Sequence, residues 1–265
     1  MATNEQARGR IGWYDLSTTD IQGAIDFYAK VIGWEAEAGG SPDMPYYTLI
    51  DPLISPKRCF GGIMDLPEAV RAMGVPPNWT PYVVVHDLEE TCARVTELGG
   101  KVIHPPTSIP NVGSFAVLTD SQGAVFYLYR AAGEAPGHDD PKGPGEVSWH
   151  ELATNDQAAA FAFYEALFGW KKMDAVDVGG DASVYQIFGR GELALGGMYN
   201  KKGQSCCMWL LYFKVEDINA AVERVKAAGG TVQRGVTKIP DMCDLVAHCT
   251  DPQGAVFALH ACTKK

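Results

Sequence analysis

The sequence predicts an α+β fold made of four βαβββ units, two in each of two tandem domains. Three observations carry that reading. The run WYDLSTTDIQGAIDFYAKVIGW, from Trp13 to Trp34, returns as WHELATNDQAAAFAFYEALFGW, from Trp149 to Trp170. Later landmarks return as well: Trp79 and Tyr82 as Trp209 and Tyr212, Gly99-Gly100 as Gly229-Gly230, Ile109-Pro110 as Ile239-Pro240, and TDSQGAVF (from Thr119) as TDPQGAVF (from Thr250). Within each copy, strand-like alternation and helical spacing follow one another in the same order. A repeat that runs the whole length at nearly constant spacing implies two homologous domains, each with its own core.

The elements follow in order. Ile11 to Ser17 alternates as a strand, Asp20 stands where a helix cap belongs, and Ile21, Ala24, Ile25, Tyr28, Val31 and Ile32 keep helical spacing up to Gly33. Three short strand runs come next, around Glu35-Glu37, Tyr46-Ile50 and Cys59-Met64, set apart by Gly, Pro and Asp. A second unit opens with a strand from Tyr82 to Val85, caps a helix near Asp87 and ends it at Gly99-Gly100. It then runs three strands, through Val102, Phe115 to Leu118 and Val125 to Tyr129, with Gly123 in the last hairpin turn. Residues 132–145, AGEAPGHDDPKGPG, have the Gly, Pro and charge content of a linker. They would join a first domain, 1–131, to a second, 146–265. The second domain repeats the scheme: strand Val147 to Ala153, helix Asp156 to Phe168, strands to Met198, strand Met208 to Val215, helix Asp217 to Ala228, and strands to Ala261.

Charge narrows the partners. With 22 Lys+Arg against 32 Asp+Glu, the net charge of −10 repels phosphate backbones and anionic lipid heads. Nucleic acid and membrane surfaces are therefore not expected as partners, whereas a small neutral or cationic ligand is. No stretch approaches the ~20 apolar residues of a membrane helix, and the polar start lacks the apolar core of a signal peptide. A cytoplasmic location is the default, with monomer and homodimer both open. The cysteines are odd in number, 7, so reduced thiols are expected. Cys206-Cys207, Cys243, Cys249 and Cys262 lack CxxC spacing and read as buried apolar thiols rather than as a metal or redox site.

The four βαβββ units, the D…FY…GW run after each domain's first strand, and the DPxG motif before the last strand resemble the vicinal oxygen chelate superfamily. Glyoxalase I, extradiol dioxygenases, methylmalonyl-CoA epimerase, fosfomycin-resistance enzymes and bleomycin-resistance proteins belong to it. The resemblance covers nearly the whole chain. It implies cupped mixed sheets with helices outside, and a divalent metal held by His, Gln or Glu in the members that do chemistry. The positions that would supply such ligands are Trp13, Thr80 and Tyr127 in the first domain and Trp149, Leu210 and Ala258 in the second. The remaining position falls near Gly61-Gly62 or Gly196-Gly197. None of these is a strong ligand, so neither a metal nor another cofactor is expected.

Side chains two apart on a strand share a face. From those positions the same face collects Asp15, Glu151, Tyr82, Tyr212, Lys214, Tyr129 and His260. Aromatic walls with a few polar groups suit a small-molecule cavity. On this reading Trp13, Thr80, Tyr82, Tyr127, Trp149, Tyr212 and His248 bind substrate. Asp15 or Glu151 then acts as a base, and Lys214 with His260 holds an anionic or carbonyl group. The competing reading is structural: the tryptophans fill the core, the carboxylates accept fold-stabilising hydrogen bonds, and Lys214 reaches outward. His86, His104 and His138 read as surface or turn residues, and His150 points away from the cup. Tyr46-Tyr47 and Tyr185 could line a cavity mouth or pack the core. The second domain carries one more residue between Ile-Pro and the last Thr-Asp, so the two halves are expected to bind differently.

Three functions fit: a metal-independent enzyme on a small carbonyl, hydroxy or aromatic compound; a drug- or metabolite-sequestering protein; and a metal enzyme with unusual ligands such as Glu151, His248 and His260.

Overall fold

The structure, a computed structural model, describes residues 2–41, 44–53, 58–140, 142–177, 184–203, 206–239 and 243–262. The first half holds β1 (Ile11–Thr18), α1 (Ile21–Val31), β2 (Glu35–Ser41), β3 (Met44–Asp51), β4 (Arg58–Asp65), α2 (Glu68–Ala72), β5 (Asn78–Val84), α3 (Leu88–Glu97), β6 (Lys101–Ile109), β7 (Gly113–Thr119) and β8 (Val125–Ala131). The second holds β9 (Val147–Thr154), α4 (Gln157–Phe168), β10 (Lys171–Asp177), β11 (Val184–Arg190), β12 (Leu193–Asn200), β13 (Met208–Lys214), α5 (Ile218–Ala227), β14 (Thr231–Lys238), β15 (Asp244–Thr250) and β16 (Val256–Cys262). The expected four βαβββ units are all present. Helix α2 was not anticipated; it has no buried side chain, hence no apolar period to read.

Each of the four longer helices starts as the sequence indicates. The carboxylates of Asp20, Asp87, Asp156 and Asp217 accept from backbone N–H groups of their first turns. Such caps are worth ~1 kcal/mol each.

The strands form two mixed eight-stranded sheets, ordered β2-β3-β4-β1-β5-β8-β7-β6 and β10-β11-β12-β9-β13-β16-β15-β14. Parallel pairing joins β1 to β4, β5 to β8, β9 to β12 and β13 to β16, while the hairpins are antiparallel. Strand β6 runs through Pro105-Pro106, further than expected around Val102, and it lies at a sheet end, where proline costs no ladder bond.

The sheets follow the sequence halves, but the compact units do not coincide with residues 1–131 and 146–265. One unit comprises Met1–Trp13, Thr80–Asp140 and Trp149–Trp209; the other comprises Tyr14–Trp79, Pro141–Ser148 and Leu210–Lys265. Each unit thus takes one βαβββ segment from each half.

The repeated motifs explain the exchange. In the first unit the Tyr164 hydroxyl donates to Asp120 Oδ2 at 3.1 Å, and Asp120 Oδ1 accepts from Gln122 and Ala124 N–H. In the second unit Tyr28 donates to Asp251 Oδ2 at 3.1 Å, and Asp251 Oδ1 accepts from Gln253, Gly254 and Ala255 N–H. The FY tyrosine of one half therefore closes the DSQG or DPQG turn of the other. Burial pushes both tyrosines well up, the neighbouring carboxylates add to it, and burial also raises both carboxyls. Around Tyr164 stand Trp170, Trp209, Phe126 and Phe168. Around Tyr28 stand Trp34, Trp79, Phe213 and Phe257.

The GW tryptophans work the same way. Trp170 Nε1 donates to Gly9 O at 2.7 Å and Trp34 Nε1 donates to Gly145 O at 2.8 Å. Both glycines have left-handed backbones, φ +78° and +88°, which a side chain would strain.

The stretch 135–139 of the expected linker is not a loose spacer. Ala135 is buried with Ala7 and Val84, and Asp139 receives Arg10 at 2.6 Å and Arg190 at 2.9 Å. Apolar burial and paired charge hold a segment that its composition presents as solvated. Among the described residues, no helix is long and apolar enough to cross a membrane.

Candidate functional site

Two carboxylate–tyrosine pairs occupy equivalent places. Asp15 lies opposite Gly62 in the β1–β4 ladder, and Glu151 lies opposite Gly197 in the β9–β12 ladder. Those glycines leave room for a ring from the neighbouring strand. A Cβ at Gly62 would come within 2.0 Å of the Tyr46 hydroxyl, and one at Gly197 within 1.9 Å of Tyr185 Cε1. Tyr46 donates to Asp15 Oδ1 at 2.8 Å, and Tyr185 donates to Glu151 Oε2 at 3.1 Å. The residues read from sequence only as mouth or core aromatics are thus the partners of the predicted carboxylates.

The pairs differ in access. Asp15 is buried, at 2% exposure, whereas Glu151 is half-buried. Trp149 Nε1 donates to the Tyr185 hydroxyl at 2.8 Å, so tryptophan, phenol and carboxylate form a directed chain. Tyr199 stacks on Tyr185 with ring centroids 6.1 Å apart. Burial, and then the charge of Glu151, push both phenols up, well above the ordinary range for Tyr185. They therefore stay protonated, and Tyr185 acts as a donor.

The other predicted polar residues gather in the second unit on β13, β15 and β16. Tyr212 lies opposite Ala258 and Lys214 opposite His260, while His248 and Val246 face Ala258 and His260 from β15. The Tyr212 hydroxyl meets His248 Nε2 at 3.2 Å, and burial, then Arg234, hold His248 below its usual pKa. His260 Nδ1 is 2.7 Å from Ser148 Oγ, and its Nε2 is 3.1 Å from Asp244 Oδ1. Lys214 Nζ donates to Lys142 O at 2.6 Å. Burial works against the Asp244 charge, but hydrogen bonds from Cys262 and His260 outweigh it and lower its pKa. Ser148 and Asp244 are not among the residues that the sequence singles out. The signal existed: counting back from the Thr250↔Val256 end of the DPQG hairpin puts Asp244 opposite Cys262.

In the first unit the equivalent strands carry rings. Tyr82 packs edge-on against Tyr127 at 4.5 Å and Tyr129 at 6.3 Å. Thr80 is buried at 3% exposure, and Trp13 is half-buried. His150 is buried with Nδ1 2.7 Å from Leu195 O, so it serves the core, as the alternation from Trp149 requires. His86 and His104 are exposed, as expected of surface residues, but the His138 side chain is only 15% exposed and lies 3.4 Å from Asp140. Its segment is packed rather than solvated.

The cysteine expectation holds for Cys207 and Cys249, which are buried, and fails for Cys206, Cys243 and Cys262, which are exposed. Those three lie at strand ends or between strands, where apolar sequence does not guarantee cover.

The superfamily's metal positions do not fit a divalent ion in this chain. Leu210 and Ala258 are buried apolar residues, and the space beside Gly62 and Gly197 is filled by Tyr46 and Tyr185. A hard or borderline cation needs carboxylate, imidazole or thiolate donors there.

Comparison with known proteins agrees with the fold and the motifs. Residues 146–259 match the family model described as Glyoxalase/Bleomycin resistance protein/Dioxygenase superfamily. CFP32 of Mycobacterium tuberculosis, which carries the name of a glyoxylase, is 30% identical over 261 residues, 97% of this chain and 96% of that protein. The anthracycline biosynthesis protein DauV of Streptomyces sp. (strain C5) is 30% identical over 270 residues, 96% of this chain and 93% of its own. Among solved structures, the 2,3-dioxygenase LapB from Pseudomonas sp. KL28 superposes with a TM-score of 0.67 at 14% identity, covering 96% of this chain and 93% of LapB.

Proposed function

Because the chain belongs to the Glyoxalase/Bleomycin resistance protein/Dioxygenase superfamily, we propose that it binds a small organic molecule and acts on it through Glu151 as a general base, without a metal at the superfamily's usual positions. The observation that carries this reading is the chain Trp149–Tyr185–Glu151, which ends in a half-buried carboxylate surrounded by rings. Trp149 orients the phenol and the phenol orients the carboxylate. A base held in this way can take a proton from a carbon or hydroxyl activated by a neighbouring carbonyl or aromatic ring. Tyr185 then shares the proton load by donating to the carboxylate oxygen.

The substrate class is a small carbonyl, hydroxy or aromatic compound. The glyoxylase name of the mycobacterial relative and the anthracycline pathway named for the streptomycete one lie at the two ends of that range. Asp15, buried beneath Tyr46, is a weaker candidate for the same step. Lys214 and His260 belong to the other unit and are engaged with Lys142, Ser148 and Asp244, so they are left out of it.

A second reading is favoured by the first unit's Tyr82–Tyr127–Tyr129 rings: a sequestering protein that holds an aromatic ligand by contact area alone. A turnover and binding screen over carbonyl, hydroxy and polycyclic aromatic compounds separates the two. Glu151→Gln should lower turnover by ~10²-fold or more while leaving binding nearly unchanged. If activity survives both Glu151→Ala and Asp15→Ala, the carboxylate assignment is wrong. Tight binding without turnover would establish the sequestering protein.

A further inference from the structure

We infer that Asp244, His260 and Cys262 form a binding site for a borderline divalent cation of the zinc type, outside the superfamily's metal positions. The three donor atoms lie within 4.8 Å of one another. Backbone geometry brings them together: Asp244 and Cys262 are direct partners across the β15–β16 ladder, and His260 precedes Cys262 by two residues on the same face. A zinc tetrahedron with ordinary Zn–N, Zn–O and Zn–S bonds has edges of about 3.3–3.6 Å. His260 Nε2 is 3.1 Å from Asp244 Oδ1 and 4.0 Å from Cys262 Sγ. Shifts of well under ~1 Å at side-chain ends would bring all three into coordination.

A second feature points the same way. The hydroxyl of Ser148 sits 2.7 Å from His260 Nδ1 and fixes the ring so that Nε2, not Nδ1, faces the carboxylate and the sulfur. Ligating histidines are held through their second nitrogen in this manner. Lys214, a cation that also acts on Asp244, is drawn to Lys142 O at 2.6 Å. On binding, the Cys262 thiol gives its proton to solvent and the cation takes its place between thiolate, imidazole and carboxylate, leaving a fourth position for water or an anion. No electron is transferred.

The equivalent strands of the first half carry none of this. Gly113 faces Ala131 where Asp244 faces Cys262, and Tyr129 stands in the place of His260. All three ligands come from the fourth βαβββ segment. It does not rest on the proposed reaction at Glu151, and its test reads metal uptake rather than activity.

The probe is Co²⁺, titrated into the reduced full-length chain and followed by thiolate-to-cobalt charge-transfer absorption, with Zn²⁺ added as competitor. One Co²⁺ per chain should bind with a thiolate band that Zn²⁺ abolishes. Cys262→Ser should remove the band, Asp244→Asn and His260→Gln should each weaken binding by ~10-fold or more, and Cys243→Ser should leave it intact. Absence of the band, its persistence in Cys262→Ser, or its loss in Cys243→Ser would overturn the assignment. Cys262 is exposed, so its serine variant is expected to fold; unchanged far-UV circular dichroism checks this.

Discussion

The second and fourth βαβββ segments pair their strands in the same pattern, each in its own sheet, and differ in chemistry. Phe126 and Leu128 are fully buried on β8, and Phe257 and Leu259 are their equivalents on β16, where Ala258 between them is buried as well. The opposite face alternates with them. There β8 presents Tyr127 and Tyr129, and β16 presents Ala258 and His260. On the neighbouring strands, Val84 and Val117 stand where Lys214 and His248 stand. One face of each strand is committed to the core and tolerates only like-sized apolar residues. The other carries the Tyr127 and Tyr129 rings in one copy and, beside the buried Ala258, the His260 and His248 network in the other. The carboxylate pairs make the same point within the first and third segments, where one extra methylene and a different cover leave Glu151 half-buried and Asp15 buried.

The largest effect should come from the features that the copies share. Asp251→Ala removes the acceptor for three backbone N–H groups and for Tyr28; Asp120→Ala removes two such bonds and that of Tyr164. Each should lower unfolding free energy by ~2–4 kcal/mol in urea titrations. A loss confined to one variant would break the equivalence of the two units.

Gly197→Ala and Gly62→Ala place a methyl group into the Tyr185 and Tyr46 rings. A cost of ~1–3 kcal/mol is expected for each, read as a lower melting temperature. Only Gly197→Ala should also disturb ligand binding, because only its carboxylate is half-buried.

Removing the Tyr129 hydroxyl, which donates to Val112 O at 2.8 Å, should cost ~0.5–1.5 kcal/mol in Tyr129→Phe. An aromatic ligand should still bind that variant, since ring area is retained. Loss of binding would show that the phenol, not the ring, makes the contact.

The smallest effect separates the segments by pH. His248 is held below the ordinary 6.5 by burial and Arg234, so below that pH the unfolded chain takes up its proton before the folded one does. Stability should therefore fall as pH drops through 6.5 and below. His248→Gln should flatten the slope there, seen in melting curves across pH. Val117, its counterpart, offers no such titration. An unchanged slope would remove His248 from the account.

Much of the fold was legible because its signals are local. Asp20, Asp87, Asp156 and Asp217 cap helices through atoms three residues away or fewer, and strand alternation needs only a neighbour. The equivalence of Asp15 and Glu151 was legible from the repeat, but their tyrosines were not, since Tyr46 and Tyr185 arrive from another strand over a glycine. Asp244 lies within reach of a hairpin count from the DPQG turn. The packing around Ala135 and Asp139 was hidden because Asp139 finds Arg10 and Arg190 far along the chain.

By itself the sequence determined the elements, their order and the duplication, because periodicity and capping act over a few residues. Only the tertiary structure decided which copies join. Tyr28 has two equivalent aspartates to choose from, in DSQG and in DPQG, and nothing local distinguishes Asp120 from Asp251. Closure of Tyr28 on Asp251 and of Tyr164 on Asp120 is settled by long-range burial of the surrounding rings, which no spacing along the chain records.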